Sequence, residues 1–254
     1  MTRTKINTPS FLPSIFTSGN LFCGMAAILD AARGHHLTAA WLVVLAAVFD
    51  GIDGMAARLS GHTSRFGVEF DSLADAISFV MAPALVIYLL ALVPLKLLGL
   101  VVAFCFVAAG VIRLARFNVS QKNLLEKGAF SGLPVPAAGG AIMGYVIFCH
   151  RISDGLCQTH LIPLFLILLA LLMVSRVEYP PLPKLAAHSF RSYLIYLLLM
   201  LAMIGLILRP QYIIFPLAMG YIAFGLGNAP VIFLMRYIKR IRTRTTHQST
   251  EAPR

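Results

Sequence analysis

Long apolar runs separated by short polar connections dominate the chain. Each run is about 20 residues long, which is the length that a helix needs to cross the hydrocarbon core of a bilayer. Eight such runs are present, at 11–31, 38–58, 67–93, 97–117, 134–151, 160–176, 192–208 and 211–236. We expect the first run to be a retained span rather than a cleaved leader. The pattern therefore predicts an all-α polytopic membrane protein with about eight transmembrane helices.

The composition agrees with this prediction. Hydrophobic residues make up 59% of the chain and charged residues only 12%, with a mean hydropathy of +0.83, as in membrane proteins. A net charge of +11 is compatible with nucleic-acid binding. In a polytopic membrane protein, however, excess Lys and Arg marks cytoplasmic loops and contact with anionic lipid. We therefore expect membrane lipids, and no nucleic acid, among the partners.

The distribution of Lys and Arg predicts the orientation in the membrane. One set of alternate loops, together with both termini, carries 17 of these residues, whereas the other set carries four. Because cytoplasmic loops are the ones enriched in Lys and Arg, both termini and the connection between the second and third runs are expected in the cytoplasm.

One segment interrupts the apolar pattern. Residues 50–75 read DGIDGMAARLSGHTSRFGVEFDSLAD and contain four aspartates, in a chain with only ten acidic residues. Asp50 and Asp53 are three residues apart, and Asp71 and Asp75 are four apart. On a helix, each pair therefore lies on one face. Ionisable side chains beside a membrane span are costly and usually functional.

An antiparallel helical hairpin would bring the two pairs of aspartates together. If the chain turns near His62, Asp50 faces Asp75 and Gly54 faces Asp71. All four carboxylates then converge at one level near the cytoplasmic ends of the two helices. A permeation site of a divalent-cation transporter, the alternative of a different class, is expected nearer the bilayer midplane.

Four carboxylates so close together repel one another unless some are protonated or a cation lies among them. A ligand set made only of oxygen atoms favours Mg²⁺, Mn²⁺ or Ca²⁺. Four carboxylates suffice for two divalent ions, an arrangement suited to phosphoryl chemistry. Gly54 and Gly67 leave room for a phosphate ester beside the ions, and Arg58 offers a planar cation to a phosphate.

The spacing of these residues resembles the signature of the CDP-alcohol phosphatidyltransferase family. The pattern is D-x-x-D-G-x-x-A-R, eight residues, then G-x-x-x-D-x-x-x-D. All its positions are met here, by Asp50, Asp53, Gly54, Ala57, Arg58, Gly67, Asp71 and Asp75. The resemblance implies a six-helix core, to which this chain adds two C-terminal spans.

The resemblance also implies the chemistry and the roles of the signature residues. An alcohol attacks the β-phosphorus of a CDP-linked lipid and CMP leaves, with Mg²⁺ or Mn²⁺ as the cofactor. Asp50, Asp53 and Asp71 would bind the ions, and Asp75 would be a metal ligand, the general base for the alcohol, or both. The remaining signature residues, Gly54, Ala57, Arg58 and Gly67, would bind the CDP-lipid.

Further stretches resemble the phosphatidylserine synthase branch of this family. They are PSIFTSGNLFCG from Pro13, RLARFN from Arg113, GLPVPAAGG from Gly132 and VSRVEYP from Val174. This likeness implies CDP-diacylglycerol and L-serine as substrates. Glycerol 3-phosphate or inositol phosphate as the acceptor, or an archaeal lipid donor, would need the same chemistry.

Polar residues outside the signature complete the predicted site. Thr17 and Asn20 share a face of the first run, where they would bind the CDP-lipid or form hydrogen bonds between helices. Arg113 and Arg116 would bind the alcohol or a lipid phosphate, or supply only the usual cytoplasmic positive charge. Ser131 precedes a proline-rich span start that either lines a cavity at the same site or simply begins a helix.

The expected organisation is one transmembrane catalytic domain over 1–236, with a core at about 11–208, and a basic cytoplasmic tail over 237–254. The protein would be integral to the cytoplasmic (inner) membrane, with the active site on the cytoplasmic side. Gly140 and Gly144 form a GxxxG pattern, which favours helix packing within the chain or in a homodimer. Cys149 and Cys157 lie near one outer loop, either as separate thiols or as a disulfide.

Overall fold

The computed structural model describes residues 11–60, 65–122, 132–153, 159–175, 177, 200 and 204–227, without the side chains of 11–14, 57–60 and 120–122. Throughout these residues, the regular secondary structure is helical. The longer helices are α1 (Phe11–Ala32), α2 (His36–Ser60), α3 (Arg65–Leu95), α4 (Leu97–Lys122), α5 (Val135–Ser153), α6 (Ile162–Val174) and α7 (Pro210–Gly227), and a short helical segment covers 204–208. The predicted all-α membrane protein is confirmed.

Seven of the eight predicted spans correspond to these helices, and the exception is the span at 192–208. Six helices of the described chain are long and apolar enough to cross a membrane, and α6, preceded by the 3₁₀ turn Thr159–Leu161, is a shorter apolar helix. The predicted span at 192–208 lies mostly outside the described residues, as do Cys157 and the tail at 237–254. The predicted count of eight is therefore not confirmed.

Helix α3 changes its geometry along its length. Its segments are α-helical over Arg65–Asp75 and Ala82–Ile87, π-helical over Ala76–Met81 and Tyr88–Leu92, and 3₁₀ over Val93–Leu95. Pro83 has no N–H to donate to the carbonyl of Phe79 four residues earlier, which disfavours regular α-helix at that point. The first π segment begins directly after Asp75, and such segments are frequent at functional sites.

Two glycines allow neighbouring helices to approach this π segment closely. A methyl group at Gly139 of α5 would lie 2.6 Å from the carbonyl oxygen of Phe79. A methyl group at Gly24 of α1 would lie 2.8 Å from the Cα atom of Ser78. Contacts this short are not tolerated, so only glycine fits at these two positions. Helices α1 and α5 thus hold the π segment backbone to backbone, as is common between membrane helices.

The buried core surrounds the middle of α3. Phe79, Phe106 and Met143 come from three different helices and are fully buried. Large apolar side chains such as Phe104 and Leu164 are exposed on the outside of the bundle, where lipid would cover them. The core therefore fixes the positions of the helices whose polar ends form the site described below.

Helix α7 packs against α5. A methyl group at Gly144 would lie 3.1 Å from the backbone of Phe215, and the Phe215 ring centroid is 5.6 Å from that of Tyr145 and 5.5 Å from that of Phe148. Open space surrounds Gly140. The second glycine of the GxxxG pattern thus serves packing within the chain, while the homodimer remains a prediction.

Gly139 and Gly140 are adjacent on α5 and provide a matched test of the close contact between α5 and α3. We expect Gly139→Ala to destabilise the protein by roughly 1–3 kcal/mol, because the new methyl group displaces α5 from the Phe79 carbonyl. Gly140→Ala should be neutral or stabilising by up to about 1 kcal/mol, because alanine favours helix and the space is open. Thermal unfolding in detergent measures both. Equal melting temperatures for the two variants would contradict the close contact.

Candidate active site

Three aspartates from two helices converge in the structure. Asp50 on α2 and Asp71 and Asp75 on α3 each place one carboxylate oxygen within 4.8 Å of the other two. Asp75 is buried, whereas Asp50 and Asp71 are half-buried. The convergence predicted from helix spacing and an antiparallel arrangement is therefore confirmed for these three residues.

The fourth aspartate lies beside this cluster but is held differently. Asp53 is buried on α2, and its Oδ2 atom accepts a hydrogen bond from Oγ1 of Thr17 on α1. Its carboxylate interacts electrostatically with those of Asp50 and Asp71. All four acidic groups thus belong to one electrostatic cluster, with three of them tightly grouped.

Helix α1 provides hydrogen-bond donors to the aspartates of both other helices. Besides the bond from Thr17 to Asp53, Nδ2 of Asn20 donates to Oδ1 of Asp75 over 3.1 Å. The hydroxyl of Ser78 in turn donates to the backbone carbonyl of Asn20 over 2.9 Å. Thr17 and Asn20 therefore form interhelical hydrogen bonds, and their contact with a nucleotide remains a prediction.

The amide of Asn20 has one further hydrogen-bonding atom. Its Oδ1 is buried and has no hydrogen-bond partner within the described part of the chain. Because leaving a buried acceptor unpaired is unfavourable, this oxygen is available to a donor group of a ligand.

The two acidic helices are not packed tightly against each other. Helix α1 packs along α2 and also against the Arg65–Asp75 part of α3, whereas α2 and that part of α3 make little direct backbone contact. The close two-helix hairpin that the sequence suggests is therefore an incomplete description of the site, because α1 also contributes to it. Helix α1 therefore connects the two helices that carry the carboxylates.

The oxygen atoms of this carboxylate cluster fit divalent cations as ligands. Carboxylate oxygens are hard ligands of the kind that Mg²⁺ and Mn²⁺ prefer. The guanidinium of Arg113 on α4 interacts electrostatically with Asp75, but one positive charge does not balance four carboxylates. Repulsion among the remaining negative charges, in surroundings that are largely apolar, favours additional cations.

The two arginines predicted to bind substrate have different surroundings. Arg113 is half-buried, and its Nε atom is buried without a hydrogen-bond partner within the described ranges. Arg116 is exposed, and its Nη1 atom donates to the carbonyl of Val174 over 3.0 Å, at the C-terminal end of α6. A cation at that end stabilises the helix. Arg116 therefore has a structural contact, and its binding of substrate remains a prediction.

The other predicted substrate-binding residues are only partly visible. Gly54 on α2 and Gly67 on α3 are half-buried near the acidic cluster. Ala57 and Arg58 lie on α2, one turn further along, but their side chains are outside the described residues. Ser131 is also outside them. The roles of these residues in binding remain predictions.

A hydrogen-bonded group that the predicted site residues do not include joins α3 to α4. Oγ of Ser72 donates to Oδ1 of Asn118, and Nδ2 of Asn118 donates to Oε2 of Glu69, each over 2.9 Å. Glu69 and Ser72 are three residues apart on α3, so both face α4. These bonds fix the rotation of α3 about its axis and thereby the directions of Asp71 and Asp75. Polar residues at helical spacing inside a span are the sequence signal for such a group.

Comparison with known proteins places these residues in a family context. The sequence profile of the CDP-alcohol phosphatidyltransferase family matches residues 10–178, which include the acidic cluster and helices α1–α6. Helix α7 lies beyond the matched segment.

Several curated proteins are similar to the chain. A Helicobacter pylori protein named CDP-diacylglycerol–serine O-phosphatidyltransferase is 40% identical over 176 residues, which cover 69% of this chain and 74% of that protein. A Bacillus subtilis protein of the same name is 33% identical over 174 residues, covering 67% of this chain and 90% of that protein. An archaetidylserine synthase from Methanothermobacter thermautotrophicus is 34% identical over 187 residues, which cover 71% of this chain and 74% of that protein.

Proposed function

The chain belongs to the CDP-alcohol phosphatidyltransferase family, and we propose that it transfers the phosphatidyl group of CDP-diacylglycerol to the hydroxyl of L-serine. The products are phosphatidylserine and CMP. The observation that carries this proposal is the convergence of Asp50, Asp71 and Asp75 at the positions of the family signature. The names of the similar bacterial and archaeal proteins all contain serine, as the acceptor or as part of the product, which supports serine over other alcohols.

The four aspartates would hold two divalent ions, Mg²⁺ or Mn²⁺. Asp50, Asp71 and Asp75 present oxygen atoms to a common point, and Asp53 adjoins them through α2. When bound, such ions stabilise negative charge on the diphosphate and on the departing CMP. The hydrogen bond from Thr17 keeps the Asp53 carboxylate turned toward α1, which restricts the directions in which it can bind.

Asp75 is the residue best placed to accept a proton from serine. One of its oxygens is held by Asn20, so the carboxylate has a fixed orientation. As the serine oxygen attacks the β-phosphorus, its proton passes to Asp75 and the bond between that phosphorus and the CMP oxygen breaks. Burial of Asp75 keeps bulk water away from this transfer, which limits hydrolysis of the lipid donor.

The substrates would bind on two sides of the carboxylates. Gly54 and Gly67 leave backbone accessible to the diphosphate, and Arg58 would pair with one of its phosphates. Arg113 would bind an anionic oxygen group, either the serine carboxylate or a lipid phosphate, because its Nε atom is buried without a partner among the described residues. Ala57 would leave space for the nucleotide beside Arg58.

We place the reaction at the cytoplasmic face of the inner membrane. The excess of Lys and Arg in one set of loops supports a cytoplasmic position for both termini and for the ends of α2 and α3. A lipid donor anchored in the bilayer and a soluble amino acid meet at such a surface. Residues 1–236 would form the catalytic domain.

The identity of the acceptor can be tested directly. Purified protein is incubated with CDP-diacylglycerol, Mg²⁺ or Mn²⁺, and one acceptor: serine, inositol, inositol phosphate or glycerol 3-phosphate. The rate of CMP release is then measured for each acceptor. We expect serine to be at least roughly tenfold faster than the others, because a site built for one acceptor leaves polar groups unpaired with another. Mass spectrometry should identify phosphatidylserine. Faster CMP release with another alcohol would contradict serine as the acceptor.

Substitution of single aspartates tests their chemistry. Asp71→Asn and Asp75→Asn keep the shape of the side chain but remove its charge, and Asp75→Asn also removes the proton acceptor. We expect turnover to fall roughly 10²- to 10⁴-fold. Asp30→Asn is the matched control, since Asp30 lies on α1 beside Arg33, away from the cluster. Full activity of either variant, with normal elution from a size-exclusion column, would refute the assignment.

Removal of divalent ions should abolish the activity of the enzyme. We expect activity in excess EDTA to drop to background, because the carboxylates then repel the diphosphate instead of binding it through cations. Excess Mn²⁺ or Mg²⁺ should restore activity, whereas NaCl at the same ionic strength should not. Undiminished CMP release in EDTA would exclude the proposed ion site.

A further inference from the structure

The first part of α3 carries two of the aspartates but is only weakly anchored by packing. Within Arg65–Asp75, the buried residues are the last two, whereas the large apolar side chains of Phe66 and Leu73 are exposed. The energy that packing contributes is roughly proportional to the apolar area that is buried. Polar contacts with neighbouring helices therefore matter most for the rotation of this segment, and with it for the directions of Asp71 and Asp75.

Asn118 of α4 provides two such contacts. Its Oδ1 atom accepts a hydrogen bond from the Ser72 hydroxyl, and its Nδ2 atom donates to Oε2 of Glu69, each over 2.9 Å. One side chain thus contacts two positions that are one turn apart on α3. Ser72 directly follows Asp71 and precedes Asp75 by three residues, so a rotation of α3 that breaks these bonds moves both carboxylates.

Two residues before Asn118, Arg116 connects α4 to the end of α6. Its Nη1 atom donates to the carbonyl of Val174 over 3.0 Å, and α4 also packs along α6. Residues two apart do not share a face of a helix. The same turn of α4 therefore reaches α3 with one side chain and α6 with the other.

The end of α6 is in turn held by the backbone that precedes α5. The N–H of Leu133 donates to the carbonyl of Leu172 over 3.0 Å, and the N–H of Gly132 donates to that of Val177 over 2.8 Å. Gly132 has a φ of +89°, and a methyl group there would overlap the carbonyl oxygen of Met173, so only glycine fits. The end of α6 is therefore a firm attachment point for α4.

We propose that Asn118 and Arg116 are positioning residues, which connect α3 through α4 to the end of α6. Together they hold Asp71 and Asp75 in the directions that the reaction requires. In this role neither residue touches a substrate, and for Arg116 the role replaces the substrate binding expected from the sequence. The proposal rests on the function proposed above, because it concerns the carboxylates that perform that reaction.

The test uses Asn118→Leu, which removes both hydrogen bonds at a similar side-chain volume. Val119→Ala, at an exposed position on the same helix, is the matched control. In the full-length enzyme, kcat and both KM values are measured at a temperature where thermal unfolding shows each variant folded. We expect kcat to fall about ten- to a hundredfold, the effect of small displacements of reacting groups. Both KM values should stay near wild type, because the substrate contacts remain.

The control should match wild type in all three values. A wild-type kcat for Asn118→Leu would overturn the proposal. So would a KM for serine that rises while kcat is unchanged, because this result would make Asn118 a substrate contact.

A conservative pair of variants at Glu69 separates hydrogen bonding from charge. Glu69→Gln keeps an oxygen that can accept from Asn118, whereas Glu69→Leu does not. We expect Glu69→Gln to keep at least about half of the wild-type kcat and Glu69→Leu to lose about three- to tenfold, the effect of one hydrogen bond. Equal losses would mean that the charge matters and not the bond, and would overturn the proposal. These single-bond variants also provide the test if Asn118→Leu does not fold.

A further comparison shows whether Arg116 acts through Asn118. Arg116→Met removes the donor to Val174 and keeps a long side chain, and Arg151→Met on α5 is the control at another exposed arginine. We expect Arg116→Met to lower kcat about three- to tenfold, but to have little further effect in the Asn118→Leu background. The same fold-change in both backgrounds would overturn the connection from α6 to α3.

Binding of Mn²⁺ without substrates tests the positioning role independently of the acceptor. The EPR signal of free Mn²⁺ gives the Kd of the protein for this ion. We expect Asn118→Leu to raise the Kd about tenfold or more, as substitutions that misorient metal ligands do, and Val119→Ala to leave it unchanged. Equal Kd values for wild type and Asn118→Leu would overturn the positioning role. Wild-type enzyme that rejects serine would instead refute the proposed function, while this measurement still tests Asn118.

Discussion

Repulsion between carboxylates inside an apolar bundle is the constraint on which the rest of the structure depends. Oxygens of Asp50, Asp71 and Asp75 lie within 4.8 Å of one another. Two unit charges at such a distance repel by about 3 kcal/mol at an effective dielectric constant near 20. This energy is comparable with a substantial part of the stability of a small protein. The fold must therefore supply compensating donors and cations at this one place.

The hydrogen-bond donors and the positive charge that offset this repulsion come from α1 and α4, and not from the helices that carry the aspartates. Thr17 and Asn20 of α1 donate hydrogen bonds to one aspartate on each acidic helix. Arg113 of α4 adds a positive charge. Divalent ions, proposed here as the cofactor, would neutralise the rest, and they would also be what the enzyme needs to bind a diphosphate. The ions that offset the repulsion would then be the same ions that bind the substrate.

Holding the carboxylates in this arrangement requires a rigid backbone around them. Gly24 and Gly139 bring α1 and α5 into backbone contact with α3 directly beyond Asp75. On the other side, Asn118 of α4 bridges Glu69 and Ser72. Helix α3 is therefore fixed along its axis by close packing and in rotation by hydrogen bonds, which is the kind of support that keeps a reactive carboxylate in one direction.

The sequence by itself determined the membrane class, the helices and the convergence of three aspartates, because these follow from local periodicity: run length, helical spacing and antiparallel pairing. Tertiary structure alone decided the rest of the site. Thr17 meets Asp53 across 36 residues, and Asn20 meets Asp75 across 55. Which face of one helix meets which face of another depends on the packing of the whole bundle, and no local pattern encodes it. For the same reason, only the structure could separate Arg113, beside Asp75, from Arg116 at the end of α6.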